Sequence, residues 1–200
     1  MSRFSLSDLL ARFRQPLPSP YPGMGAVLSA DGVSFRVWAP HAEAVFVTGE
    51  FNNWHNSRHP LTHDGDGYWS VAVPNAKAGQ RYKFRILNGE QELFRVDPYA
   101  REVTNSVGDS VIFDPDFDWE DDDFRTPPWN EMTIYEMHVG TFHRKDRDRP
   151  GTFDMAIEKL DYLANLGINT VLVMPPMEFA GDRSWGYNPA HPFAIESTYG

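Results

Sequence analysis

The feature that most constrains the fold is a change of hydrophobic period near Asn130. Before it, apolar and polar residues alternate in short runs such as "GVSFRVWAP", "EAVFVTGEF", "GYWSVAVP" and "QRYKFRIL". Alternation of period two is typical of strands with one buried face. After Asn130, two longer apolar runs flank a segment of helical period. The chain therefore predicts two different architectures in succession.

The first architecture covers residues 25–115. Its strand-like runs also include "LFRVDP" and "SVIFDP", and turn signals such as "NN", "DGDG" and "NG" separate them. Short strands at this spacing predict an immunoglobulin-like β-sandwich. The region is long enough to bury one small core.

The second architecture covers residues 131–200 and begins a βαβ unit. "MTIYEMHVGTF" and "INTVLVMP" are apolar throughout, as strands buried on both faces are. Between them, "GTFDMAIEKLDYLANLG" predicts one helix, with Thr152 as its N-cap and Gly167 at its left-handed end. The predicted apolar face of that helix comprises Phe153, Ala156, Ile157, Leu160, Leu163 and Ala164. A parallel sheet needs more strands and covering helices, so we expect this domain to be incomplete in residues 131–200.

Two further segments flank the sandwich. Residues 1–24 combine a short amphipathic run, "SLSDLLARFR", with the proline-rich "QPLPSPYPG", and they predict a helix followed by a tether. Residues 116–130 are acidic and proline-bearing, which predicts a linker. The carboxylate run at 120–123 is interpreted as a solvated loop rather than a metal site, because no histidine accompanies it.

Charge and composition restrict the partners. The net charge of −10 disfavours nucleic acid and anionic membranes, whereas a neutral polymer is unaffected. The chain has no cysteine, which excludes disulfides and thiolate chemistry. It has no apolar run near the ~20 residues of a membrane span, and its N-terminus lacks an apolar signal core. We therefore expect a cytoplasmic protein without cofactor or metal; the sequence does not indicate its oligomeric state.

One candidate binding site lies in the sandwich. Trp54 follows Asn52 and Asn53 in a predicted turn, and Lys83 lies on a strand expected to run beside it. An indole face stacks on the apolar face of a glucose ring, while ammonium and amide groups bind its hydroxyls. Trp54 and Lys83 are therefore candidate sugar ligands. The alternative is that Trp54, like Trp69, packs in the core.

The residues around this turn resemble a known family. "VTGEFNNWH", "PLTHDGDGYWSVAVP" and "GQRYKFRI" are similar to carbohydrate-binding module family 48, which accompanies glycogen and starch enzymes. The resemblance implies that Trp54 and Lys83 match the tryptophan and lysine that contact glucan in the β subunit of the AMP-activated protein kinase. Those relatives also use a second tryptophan after the next hairpin, where this chain has "NGEQELF".

The C-terminal region resembles the opening of glycoside hydrolase family 13, the α-amylase family. The matching stretches are "IYEMHVGTF", "AIEKLDYLANLGINTVLVMPP" and "SWGYNPAHPFAIESTYG". The resemblance implies that residues 131–200 begin a (β/α)8 TIM barrel, truncated here. It also implies that Tyr187 stacks on the glucose at the cleavage point, with Trp185 and Asn188 shaping the same pocket. Glu136 and His138, on the first strand, are interpreted as packing or supporting residues.

The family's reaction is a retaining double displacement between two carboxyl groups about 5–5.5 Å apart. In the family the nucleophile and the acid follow later strands, so the resemblance places both beyond Gly200. No Asp or Glu of this sequence matches them, and no catalytic residue is assigned.

The resemblance implies first a 1,4-α-glucan branching enzyme acting on glycogen or starch-like glucan. The alternatives are a debranching, trehalose-releasing or α-amylase-type hydrolase, or a non-catalytic glucan-binding protein. The 200-residue chain by itself is predicted to be inactive.

Overall fold

The computed structural model describes residues 23–119, 124–181 and 183–200. The predicted N-terminal helix and most of the tether, at 1–22, and the acidic run at 120–123 lie outside these ranges. Within them, no helix has the length and apolar character needed to cross a membrane.

Residues 25–111 form two antiparallel sheets. The first has the order β1-β2-β6-β5, and the second has the order β4-β3-β7-β10-β9, with β8 also paired to β7. The strands are β1 Gly25–Ser29, β2 Gly32–Trp38, β3 Ala44–Gly49, β4 His59–Pro60, β5 Thr62–Gly65, β6 Tyr68–Val73, β7 Arg81–Asn88, β8 Gln91–Arg95, β9 Glu102–Val103 and β10 Ser110–Val111.

The two sheets enclose one apolar core, as the alternating pattern predicts. Phe35 of β2 and Tyr82 and Phe84 of β7 are almost fully buried, and the Phe35 and Tyr82 rings meet edge to face at 5.0 Å. Trp69 also lies in this core and donates its indole Nε1–H to the Ala39 carbonyl. The predicted immunoglobulin-like β-sandwich is therefore confirmed, and so is the core position of Trp69.

The C-terminal part contains a parallel strand pair. β11 (Ile134–Met137) pairs with β12 (Thr170–Val173) in parallel register. Three short helices connect them: α1 (Val139–Phe142), α2 (Phe153–Ile157) and α3 (Leu160–Asn165). The helix α1 corrects the prediction that "MTIYEMHVGTF" is one strand. Phe142 N donates to the His138 carbonyl, so the chain coils immediately after the strand.

The single helix predicted between the strands is also wrong, because it is broken into α2 and α3. Thr152 caps α2 as predicted, accepting from Met155 N at 3.2 Å, and Gly167 has the predicted positive φ of 91°. Between the two helices, Lys159 N donates to Ala156 O, three residues back, which tightens the turn.

The predicted burial of these elements holds only in part. Ala156 and Leu163 are buried, whereas Ile157, Leu160 and Ala164 of the predicted helical face are exposed. Ile134 of β11 and Leu172 of β12 are exposed as well, so these strands are not buried on both faces. Within the described residues, one face of the strand pair and part of the helical layer have no packing partner.

A hairpin after β12 joins the two parts of the chain. β13 (Met177–Phe179) and β14 (Pro189–Ile195) form an antiparallel pair that the sequence did not predict. β14 packs beside β9, where Phe193 stacks on Tyr99 with ring centroids 5.3 Å apart. His191 Nε2 contacts the Ser106 carbonyl at 3.0 Å. The sandwich and the strand–helix part are therefore packed against each other.

Candidate functional site

The first candidate region is the turn that follows β3. A 3-10 turn spans Glu50–Asn52, and the next two residues, Asn53 and Trp54, both have positive φ, of 54° and 58°. This left-handed conformation is rare for a bulky residue and is retained only where the surroundings impose it. Trp54 N donates to Gly49 O at 2.8 Å, which anchors the turn to the end of the strand.

Gly49 allows this turn to lie close to β7. A Cβ atom at position 49 would lie 2.4 Å from the Arg81 carbonyl oxygen, so only glycine fits. Gly49 pairs with Tyr82, and Thr48 pairs with Lys83. The register therefore places the Trp54 turn at the end of β3, beside the start of β7, which carries Lys83.

Lys83 belongs to a row of ion pairs on the outer face of this sheet. Its Nζ lies 3.2 Å from Asp109 Oδ1, and Arg81 lies between Asp109 and Glu50. Glu50 accepts hydrogen bonds from the Arg81 backbone N–H and guanidinium, and these bonds lower the pKa of Glu50. The Lys83 ammonium is thus held in place by a carboxylate, with about a quarter of its side chain (25%) exposed.

The second candidate region lies at the carboxyl ends of β11 and β12, which meet at one edge because the strands are parallel. His138 directly follows β11, and its Nε2 lies 2.9 Å from the Ser184 carbonyl and 3.1 Å from the Tyr199 hydroxyl. A carbonyl can only accept, so Nε2 carries a proton, and Nδ1 lies 3.0 Å from the Thr141 hydroxyl. His138 therefore links the first strand to the turn that follows the second.

That turn, residues 183–188, carries the three predicted site residues of this region. Trp185 and Tyr187 are 74% and 67% exposed, so both rings are available for stacking. Asn188 Oδ1 accepts from the Ser184 hydroxyl, and Ser184 Oγ in turn accepts from Gly186 N at 3.0 Å. Gly186 has φ of 86°, and a Cβ there would lie 1.8 Å from the Pro175 carbonyl oxygen.

A cavity of about 1170 Å³ lies beside this turn. Its lining includes His138, Arg144, Trp185 and Tyr199. Burial, and then the Glu196 carboxylate, raise the pKa of Tyr199, so its hydroxyl stays protonated. Over the described ranges, neither Tyr187 nor Asn188 lines the cavity, and no His/Asp/Glu cluster is suited to a metal ion.

Two buried carboxylates at this cavity escaped prediction. Glu178 accepts from Ser197 N at 2.7 Å, and Glu196 accepts from Phe179 N and from the Thr198 hydroxyl. Both are almost fully buried and hold β13 to the chain after β14. The sequence offered one signal for Glu178, its position soon after the end of a predicted strand. Its burial depends on the hairpin β13–β14, which was not predicted.

The structure separates the predicted site residues into two groups. Trp54 and Lys83 lie on one sheet of the sandwich, and Trp54 is half-buried rather than part of the core. Trp185, Tyr187 and Asn188 lie together on the turn between β13 and β14. The sugar-binding role of both groups stays a prediction.

The remaining sequence predictions concern Glu136, His138 and Gly200. Glu136 is exposed among the described residues and its role stays a prediction, while His138 supports the turn through Ser184. The catalytic carboxyl groups are expected beyond Gly200. Gly200 is exposed and does not line the cavity. The two buried carboxylates of the cavity, Glu178 and Glu196, accept hydrogen bonds from backbone N–H groups and from one hydroxyl, so they have a structural role. The location of the catalytic groups past Gly200 therefore stays a prediction.

Comparison with known proteins defines the class. Residues 23–100 match the family described as Carbohydrate-binding module 48 (Isoamylase N-terminal domain). The chain as a whole resembles the N-terminal region of α-amylase-family enzymes, glycoside hydrolase family 13, that carry this module.

Particular relatives cover most of this chain. The 1,4-alpha-glucan branching enzyme GlgB of Picrophilus torridus is 36% identical over 178 residues, which are 87% of this chain and 25% of the relative. The malto-oligosyltrehalose trehalohydrolase of Saccharolobus solfataricus is 34% identical over 88% of this chain and 29% of its own length. A solved structure assigned as an alpha amylase from Salmonella typhimurium has 32% identity and a TM-score of 0.77, covering 88% of this chain and 29% of that one.

Proposed function

We propose that this chain serves an α-glucan-active enzyme of family 13, in the first place a 1,4-α-glucan branching enzyme. The observation that carries the proposal is the family-48 module, with its Trp54 turn placed beside the strand of Lys83. Similarity to several branching enzymes supports the choice of reaction. Because the chain spans about a quarter of those relatives, the whole enzyme's activity is part of the proposal.

The proposal includes a role for the C-terminal part. The parallel pair β11–β12 with its connecting helices is the arrangement that begins a (β/α)8 barrel. Ile134, Leu172 and Leu166 are exposed apolar residues that further strands and helices of a barrel would cover. Active sites of such barrels lie at the carboxyl ends of the strands, where Trp185 and Tyr187 are found. These side chains would form one wall of a sugar pocket.

A hydrolase is the second candidate function. The trehalohydrolase relative covers the same part of this chain at nearly the same identity as the branching enzyme. The two reactions share a covalent glycosyl intermediate and differ in whether water or a sugar hydroxyl reacts with it. Within this chain, therefore, the same residues serve either reaction.

Glucan binding by the module is tested by titrating the chain with glycogen in affinity electrophoresis. We expect Trp54→Ala to weaken binding about 3- to 10-fold, because an aromatic contact of this kind contributes about 0.5–1.5 kcal/mol. The matched control is Trp38→Ala, which removes an exposed indole on β2 of the other sheet. Equal binding by the folded Trp54→Ala variant and the wild-type chain would contradict the proposal.

A further inference from the structure

The Trp54 turn is built around one buried amide. Asn52 is only 2% exposed, and its Oδ1 accepts from Gly49 N at 3.1 Å and from His55 N at 3.2 Å. Its Nδ2 faces the carbonyls of Val47 and His55, both at 3.3 Å. These bonds clamp the residues before and after Asn53 and Trp54, the two residues in the left-handed conformation.

The fifth partner of this amide is the imidazole of His59 on β4. Asn52 Nδ2 lies 2.9 Å from His59 Nδ1. The orientation of the amide is fixed, because Gly49 N–H and His55 N–H both require the oxygen on their side. The nitrogen therefore faces His59 as a donor, and His59 Nδ1 must accept, which only a neutral imidazole protonated at Nε2 can do.

We propose that Asn52 and His59 are positioning residues for the Trp54 site, and that protonation of His59 weakens glucan binding by releasing the Asn52 clamp. A proton on Nδ1 would set two donors against each other at hydrogen-bond distance. The amide would have to rotate or withdraw, and the left-handed turn would lose the bonds that impose it. The inference rests on the proposed glucan binding and adds a pH dependence to it.

The surroundings of His59 favour its neutral form. Burial, and then the charge of neighbouring Arg58, lower the pKa of His59 from its ordinary value of 6.5. From the turn, the Phe51 ring lies in an edge-to-face arrangement with the imidazole, with ring centroids 5.7 Å apart. From β7, Arg85 reaches the Asn56 carbonyl next to this turn and is paired with Glu92 of β8.

Because the folded pKa is lowered, the closed turn is fully stable above the ordinary histidine pKa and is lost as pH falls below it. Protonation of His59 therefore shifts the population from the closed turn towards the open turn. Glucan is uncharged, so its own protonation does not contribute to this dependence.

The test compares glycogen affinity at about pH 7.5 and about pH 5.5. We expect the wild-type chain to bind more weakly at the lower pH. His59→Asn keeps a neutral acceptor near the position of Nδ1 and should flatten the profile. The matched control, His63→Asn, changes a histidine on β5 whose ring meets Trp69 and should keep the wild-type profile. If His59→Asn keeps the wild-type pH dependence of glycogen affinity, the inference is overturned, even where Trp54 still binds glucan.

A second measurement does not depend on glucan. NMR titration of His59 should give a pKa below 6.5 in the wild-type chain. Asn52→Asp, checked by its melting curve for a retained fold, should raise that pKa, because a carboxylate favours the imidazolium. The indole N–H signal of Trp54, identified by its loss in Trp54→Phe, should shift with the same midpoint as His59. If the indole signal does not shift as His59 titrates, the positioning role is refuted. A failure to bind glycogen, taken alone, would refute only the proposed function.

Discussion

Asp97 shows how single buried groups set the properties of this protein. Its side chain is completely buried (0% exposed) in the sandwich, where it accepts from the Tyr82 hydroxyl at 2.5 Å and from Tyr99 N at 2.8 Å. Burial raises the pKa of Asp97 to about 6, although both hydrogen bonds and the nearby His191 oppose the rise. Asp97 thus lies near Tyr99 and His191, two of the residues that join the sandwich to β14.

This raised pKa predicts a pH-dependent stability. Between the ordinary value of 3.8 and about 6, the folded protein binds more protons at Asp97 than the unfolded chain, so the free energy of unfolding falls as pH rises. Asp97→Asn should remove this contribution, so that the stability difference between wild type and variant changes by about 2 kcal/mol between about pH 4 and pH 7. Urea unfolding at several pH values measures it.

The control is Asp66→Asn, which changes an exposed carboxylate on the turn between β5 and β6. It should follow the wild-type dependence throughout. A parallel pH profile for wild type and Asp97→Asn would show that Asp97 is not the group responsible.

At the scale of elements, close backbone approaches determine where the site residues lie. The turn at 183–188 passes over Pro175, the second residue after β12, and only glycine at 186 permits this approach. Glu178 and Glu196 then hold the hairpin β13–β14 in place from within. The position of Trp185 and Tyr187 at the strand ends therefore depends on a short contact rather than on the aromatic residues themselves.

Gly186→Ala should displace this turn, because its Cβ would lie 1.8 Å from the Pro175 carbonyl oxygen. We expect the amides of 183–188 to exchange with solvent at least about tenfold faster, equivalent to a local loss of about 1.4 kcal/mol. Gly181→Ala is a matched control, since φ there is also positive, at 96°, but nothing lies within 4 Å of the added atom. Equal exchange in the two variants would mean that the clash is relieved without moving the turn.

At the scale of the whole molecule, the sandwich and the strand–helix part share a small interface. Phe193 and Tyr99 stack with an interplanar angle of 12°, and Ala194 is buried with Ala100 and Val103. The His191–Ser106 contact lies next to this cluster. The two parts should therefore unfold in a coupled way despite their different architectures.

Phe193→Ala should weaken this coupling by about 1 kcal/mol, the contribution of an aromatic pair. In limited proteolysis we expect faster cleavage within 131–200 while the sandwich stays intact, because the contacts across the interface are lost. Trp185→Ala is the control, since it removes a large exposed aromatic away from the stack. Identical cleavage rates in wild type and Phe193→Ala would exclude a stabilising role for the stack.

Much of the fold could be predicted from local pattern. The alternation in β2, β3, β6 and β7 fixes which side chains face the core, and Thr152 and Gly167 mark helix ends through their own backbone chemistry. The predictions failed at the end of β11 and on the outer face of the strand pair. Val139–Phe142 is helical, with Phe142 N donating to the His138 carbonyl. Ile134 and Leu172 are apolar strand residues that are exposed among the described residues.

The sequence by itself determined the two architectures, the resemblance to family 48 and the aromatic residues offered as candidates, because these depend on periodicity and local motif. Only the tertiary structure decided that Asn52 and His59 face each other beneath the Trp54 turn, and that Glu178, Glu196 and His138 line one cavity beside the turn of Trp185 and Tyr187. Such contacts join residues on different elements. They depend on how the strands pair and how closely the backbones approach, which no local pattern specifies.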